Sequence, residues 1–230
     1  MIKLVFLLRS NVSEPANSFR ERILLELSPR ILGCKPMRYK INLTSADPPR
    51  ISITPYRRDR IALISIWEPA ASTDPAARWS GIIGEAWDGP CAGYRVEESQ
   101  PVAYKRSWPA GSQTPGLGLL TLFRSRPGIS QDDFIRMWHQ GHTPLGMRIH
   151  PLWNYVRNVV TDSILPDSPV LGGIVEEHCR CSADLLNPVR FFGGPIDMVP
   201  NMLRIGLDIR KWMDFGSIEN YLVTEHWIKD

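Results

Sequence analysis

The stretch LFRSRPGISQDDFIRMWHQGHTPLGMRIHP, residues 122–151, has a counterpart half a chain earlier: LLRSNVSEPANSFRERILLELSPRILGCKP, residues 7–36. A shift of 115 positions, half of the 230 residues, aligns the two without a gap. Phe19 falls on Phe134, Pro29 on Pro144 and Pro36 on Pro151. With one residue inserted, Tyr39-x-x-Asn42 falls on Tyr155-x-x-Asn158, and later the run ending at Trp108 falls on the run ending at Trp227. The order of matches is the same in both halves, which marks a duplicated unit.

Each unit reads as strand, helix, strand, strand, helix, strand. The first predicted strand is 2–8, and 119–123 in the second copy. The first helix is 16–27, and 131–140, where Phe134, Met137 and Trp138 recur at helical spacing. Ser130 followed by two aspartates is a helix start, and Pro144 predicts its stop. The next strands are 37–43 with 153–160, then 61–67 with 173–179. Second helices begin after 72–74 and 181–184, and the last strands are 102–108 and 221–228. An extra segment, 195–215, has room for one more helix. This order is the ferredoxin-like split βαβ arrangement, whose sheet carries helices on one face only. The predicted class is α+β: an N-terminal repeat at 1–108, a Pro/Gly/Ser-rich linker at 109–118 and a C-terminal repeat at 119–230. The two antiparallel sheets then pack into one pseudo-two-fold α/β barrel, an internal pseudo-dimer that leaves room for a further homodimer.

Composition narrows the partners. The net charge of +3 comes from 27 basic and 24 acidic residues without long runs, which argues against nucleic acid. No run of 18 apolar residues suggests a membrane span. The apolar run at the start is short and lacks a cleavage site, so a strand is the better reading. Cys34, Cys91, Cys179 and Cys181 are expected as free thiols in a reducing cytoplasm; Cys179-x-Cys181 could bind a metal only with further ligands that no second pair supplies. Neither nucleotide-binding glycine loop is present.

The second half resembles the EthD domain family of the dimeric α/β-barrel superfamily. The matching features are 126–130, Phe134, Trp138, His142, Pro144 and Tyr155-x-x-Asn158. The first half departs from that pattern, with Ile23 and Leu27 where Trp138 and His142 stand. The resemblance implies two fused barrel halves. It implies function less tightly, because the superfamily includes polyketide cyclases, dehydratases, decarboxylases, cofactor-free oxygenases and haem-handling proteins.

All five histidines, His139, His142, His150, His178 and His226, lie in the second half. That asymmetry points to one working pocket there. His142 is the leading acid/base candidate, since an imidazole titrates near neutrality. His178 or His226 is its expected counterpart. Strand alternation puts Glu176 and His178 on one face and Glu177 on the other. Tyr155, Asn158 and Glu176 are candidate substrate contacts, with Trp138 and Trp153 as walls of a flat cavity. No metal site is expected. The expected function is a cofactor-independent enzyme that cyclises, dehydrates or decarboxylates a small aromatic or polyketide-like substrate. The alternatives are a cofactor-free oxygenase of a phenolic intermediate, or a non-catalytic protein binding haem or another hydrophobic ligand.

Overall fold

A computed structural model describes residues 1–10, 14–44 and 47–230. Its strands are β1 (Ile2–Arg9), β2 (Arg38–Leu43), β3 (Ile61–Glu68), β4 (Cys91–Val102), β5 (Leu117–Phe123), β6 (Asn154–Ser163), β7 (Gly173–Cys179) and β8 (Glu219–Lys229). They form one closed antiparallel barrel in the order β1-β3-β2-β8-β5-β7-β6-β4. Each half has the same internal order, β4-β1-β3-β2 and β8-β5-β7-β6. The halves join edge to edge, through β2 with β8 and β4 with β6. Closure leaves no sheet edge without a ladder partner, so the duplication removes the liability that a single four-stranded sheet would carry.

One predicted strand is displaced. The last strand of the first half is β4 and not 102–108, of which only Val102 belongs to a strand. Val96 pairs with Lys3 as Val223 pairs with Gly118, so equivalent positions in these strands lie 127 apart. Trp108 is therefore not the counterpart of Trp227. Gly116 makes the turn into β5: its φ is +98°, and a Cβ there would lie 2.0 Å from the Cys179 carbonyl.

The helix expected to stop at Pro144 continues. α4 (Gln131–Arg136) runs through a π-helical turn at Met137–His142 into α5 (Thr143–Ile149). The first half repeats this at the equivalent place: α1 (Ala16–Glu21), a π turn at Arg22–Leu27, then α2 (Ser28–Gly33). A π turn shifts the hydrogen-bond register by one residue. Thr143 N–H reaches back five residues to the Trp138 carbonyl, and the Thr143 hydroxyl donates to the same oxygen at 3.0 Å. Pro144, which lacks an N–H, then falls in the first turn of a new α segment, where no donor is needed. Outside the barrel, these helical runs pack with α3 (Pro75–Ala86) on the first half, and with α6 (Ser182–Leu186), α7 (Pro188–Phe191) and α8 (Met198–Ile209) on the second. Among the described residues no helix is long and apolar enough to cross a membrane.

The barrel interior is part apolar and part charged. Val5, Leu7, Leu63, Leu120, Ile174 and Val223 form one cluster. Further along the same faces, Glu176 lies at the centre of a buried ion network. Lys40 Nζ is 2.6 Å from Glu176 Oε2 and 3.2 Å from Glu225. Lys3 contacts Glu176 at 3.3 Å, Asn158 at 2.7 Å, and Glu98. Asn42 and Asn158, equivalent in the two repeats, donate to opposite oxygens of Glu176 at 2.6 and 3.0 Å. Burial alone would raise the Glu176 pKa, but Lys40 and Lys3 outweigh it and hold the carboxyl well below the usual range. Glu176→Ala is expected to cost about 3–5 kcal/mol in urea unfolding, because it removes the carboxylate that two buried lysines and two buried asparagines share, leaving Lys40 with Glu225 and Lys3 with Glu98. Glu98→Ala, at the partly exposed margin, is expected to cost about 1 kcal/mol or less.

Candidate functional site

With its interior filled, the second half offers space on the other side of its sheet. A cavity of about 370 Å³ lies between the outer face of β5, β6 and β7 and the helices above. Trp138, Trp212, Phe191 and Phe192 form aromatic walls, and Met202, Ile205 and Ile209 on α8 close the top. Trp138 and Trp212 stack at 5.7 Å with planes 10° apart. Ile53, Thr54 and Pro55, from the loop between β2 and β3, roof the cavity, so the first half contributes to it directly. The volume suits a small organic molecule.

The polar groups are few. Glu177 enters from β7, and its carboxyl makes no hydrogen bond or ion pair with another described residue. It is only partly covered, and burial raises its pKa to about 7. An unpaired carboxyl whose pKa is raised toward neutrality can take or give a proton. His142, the last residue of the π turn, donates from Nδ1 to Asp208 Oδ2 on α8 at 3.1 Å. This contact fixes the ring, leaves Nε2 as its second proton-transfer position, and lowers the Asp208 pKa. His150 donates from Nδ1 to the Phe191 carbonyl at 2.9 Å and stacks on the Phe191 ring at 4.1 Å. Burial lowers its pKa to about 4, so it stays neutral. Tyr155 accepts from Trp138 Nε1 at 3.4 Å, and burial raises its pKa to about 12. Asn220 accepts from Thr121, which leaves its amide N–H groups for a ligand.

The structure brings three of the sequence candidates together here: Trp138, His142 and Tyr155. Five others lie elsewhere. Asn158 and Glu176 are in the barrel network. His178 accompanies them on the inward face and bonds the Pro115 carbonyl at 2.9 Å. Trp153 belongs to an aromatic cluster with Tyr104 and Trp108, at 5.0 and 5.5 Å. His226 faces the 109–118 connection, with Nδ1 3.3 Å from the Gly111 carbonyl. Neither His178 nor His226 lines the His142 cavity. Glu177 and Asp208 were not among the sequence candidates. Glu177 was visible as the other-face neighbour of Glu176, whereas Asp208 lies on the extra helix and had no sequence signal.

The cavity lining contains neither lysine nor arginine and does contain the Glu177 carboxyl. That donor set does not fit an anionic porphyrin, which would need cations for its propionates. Among the described residues no three of His, Cys, Asp and Glu cluster as metal ligands.

Comparison with solved structures finds the same architecture over essentially the whole chain. An anthrone oxidase-like protein superposes with a TM-score of 0.58 at 10% identity, covering 98% of this chain and 90% of its own. A candidate monooxygenase from Fusobacterium nucleatum gives 0.53 at 7% identity, covering 99% and 92%. A candidate chlorite dismutase gives 0.50 at 11% identity, covering 100% and 96%. The chain has the dimeric α/β-barrel fold. No family model and no curated protein sequence matches it, and at these identities the likeness is one of fold alone.

A Glu177→Gln variant tests the reading of the cavity. The Glu177 pKa is raised on folding, so its favourable contribution is full below about 4.5 and is lost as pH rises through about 7. The glutamine variant avoids that loss. Its melting temperature is expected to match the wild type near pH 4.5 and to exceed it increasingly up to pH 8.

Proposed function

We propose that this chain is a cofactor-independent enzyme of the EthD type, moving protons on a small aromatic or polyketide-like molecule held beneath α8. The observation that carries this reading is the placement of Glu177: a carboxyl with no side-chain partner among the described residues, its pKa pushed up by burial, in an aromatic-walled cavity that it shares with an Asp-oriented histidine. The ionised Glu177 takes a proton from a phenol or from a carbon activated by a neighbouring carbonyl. The resulting anion is stabilised at oxygen by donors such as the Asn220 amide and the Tyr155 hydroxyl, and His142 Nε2 is an acceptor for a proton. Asp208 is a positioning residue, holding the His142 ring in one tautomer. Cyclisation, dehydration and decarboxylation of polyketide-like compounds all pass through such enolate or phenolate anions.

A second reading uses the same anion. An electron-rich phenolate can react with molecular oxygen directly, and the structural likeness to an anthrone oxidase-like protein favours giving this route a place. Both readings require the same first proton transfer, and oxygen uptake during turnover separates them.

The test follows that first step alone. Exchange of the acidic methylene protons of an aromatic 1,3-dicarbonyl probe for deuterium, followed by NMR, is expected to be catalysed by the wild type. The rate should rise with pH through about 7 and level off above, since the ionised carboxylate is the base. Glu177→Gln is expected to lower the rate by about 10²–10⁴-fold, the usual range for a lost general base. Asp208→Asn should cost less and shift the pH profile. Exchange that proceeds unchanged in Glu177→Gln would refute the assignment.

A further inference from the structure

Beside the proposed site lies a second, narrower cavity of about 180 Å³. The two share four lining residues, Ile53, Thr54, Phe191 and Phe192, so the same side chains form the wall between them. We propose that they act as two lobes of one binding site, and that the substrate is an aromatic head with an alkyl tail. The head occupies the Glu177 lobe and the tail runs past Phe191 and Phe192 into the second lobe. This rests on the reading of the Glu177 lobe as the substrate site.

The chemistry of the lobes differs in the way an amphiphile requires. Glu177, His142 and His150 all line the first lobe. The second adds Ile51, Leu185, Leu186 and Pro188 to the shared residues, with the hydroxyls of Ser52 and Tyr56 and no charged side chain. Its tyrosine, Tyr56, is kept protonated because burial raises its pKa. Such a lobe stabilises methylene groups and gives a second polar group no charged partner. Phe191 and Phe192 meet edge to face at 5.2 Å and are both buried, so the partition is built of rigid rings with defined positions. The rim points the same way. Ile53 and Phe215, which line the first lobe, are 50% and 52% exposed, and Ile51 on the second lobe is 94% exposed. A ligand with an apolar tail would cover surface that these residues otherwise leave in water.

The volume sets the tail length. At roughly 30 Å³ for a water-sized group, comparable to a methylene, the second lobe holds about six carbons. Calorimetric titration with 4-alkylphenols from methyl to decyl reads this directly. Affinity is expected to tighten about fourfold per methylene, as burial of a methylene implies, for about six carbons and then to level off. Ser52→Trp and Leu186→Phe each place bulk in the second lobe alone. Either variant is expected to shorten the rise by several carbons while leaving 4-methylphenol affinity unchanged.

Affinity independent of chain length, with 4-methylphenol still bound, would overturn the tail lobe and leave the head site standing. A rise that continues to decyl and is the same in both variants would also overturn it, as general adhesion to the surface. Binding of 1-heptanol with no binding of 4-methylphenol would support the tail lobe and remove the phenolic head. Failure of every compound to bind would overturn both.

Discussion

The barrel closes around Glu176. The groups bound to its carboxylate come from β1, β2 and β6, and their lysines reach further carboxylates on β4 and β8, so one buried charge network spans both junctions between the repeats. Such a network is costly to bury and is retained only when every member is satisfied. Here the two lysines, the two asparagines and the surrounding carboxylates satisfy one another. Glu225 completes the arrangement by accepting from Tyr104 and Thr114, and Trp227 donates to the Tyr104 hydroxyl. The interior is thus taken up by charged and apolar side chains, and the cavity that holds Glu177 lies on the outer face, under helices.

There the two repeats diverge. Both keep the π turn and the proline after it, so the turn belongs to the fold. The second repeat alone places a tryptophan and a histidine on it, at Trp138 and His142, and then supplies α8 with Asp208 to meet the histidine. In the first repeat the corresponding space is filled by Ile23, Leu27, Trp79 and Ile83, all buried. The space under the first half's π turn is thus packed with apolar side chains, and that under the second half's is opened into a cavity, roofed in part by a loop from the first half.

Most of the fold was legible because duplication gives the pattern twice. β7 falls where the alternation predicted it, and the strand-helix order holds in both halves. The last strand of the first half was misplaced because Trp108 and Trp227 invite a match, while β4 itself runs through the polar stretch Glu97–Gln100 with few apolar markers. The site was half legible. Alternation correctly separated Glu176 from Glu177, but both faces of this sheet are buried, one in the barrel and one beneath helices. A period of two cannot say which of two buried faces holds the cavity. His178 and His226 were unreadable for the same reason, and Asp208 because its partner lies 66 residues away on an added helix.

The proposed chemistry depends on the ionisation of a single carboxyl. Selective carbon-13 labelling of glutamate side chains, with Glu177→Gln to assign the resonance, allows Glu177 to be titrated by NMR in the intact protein. The account predicts a midpoint near pH 7 that moves when a phenol fills the cavity. A midpoint near 4.5, unmoved by phenol, would contradict it.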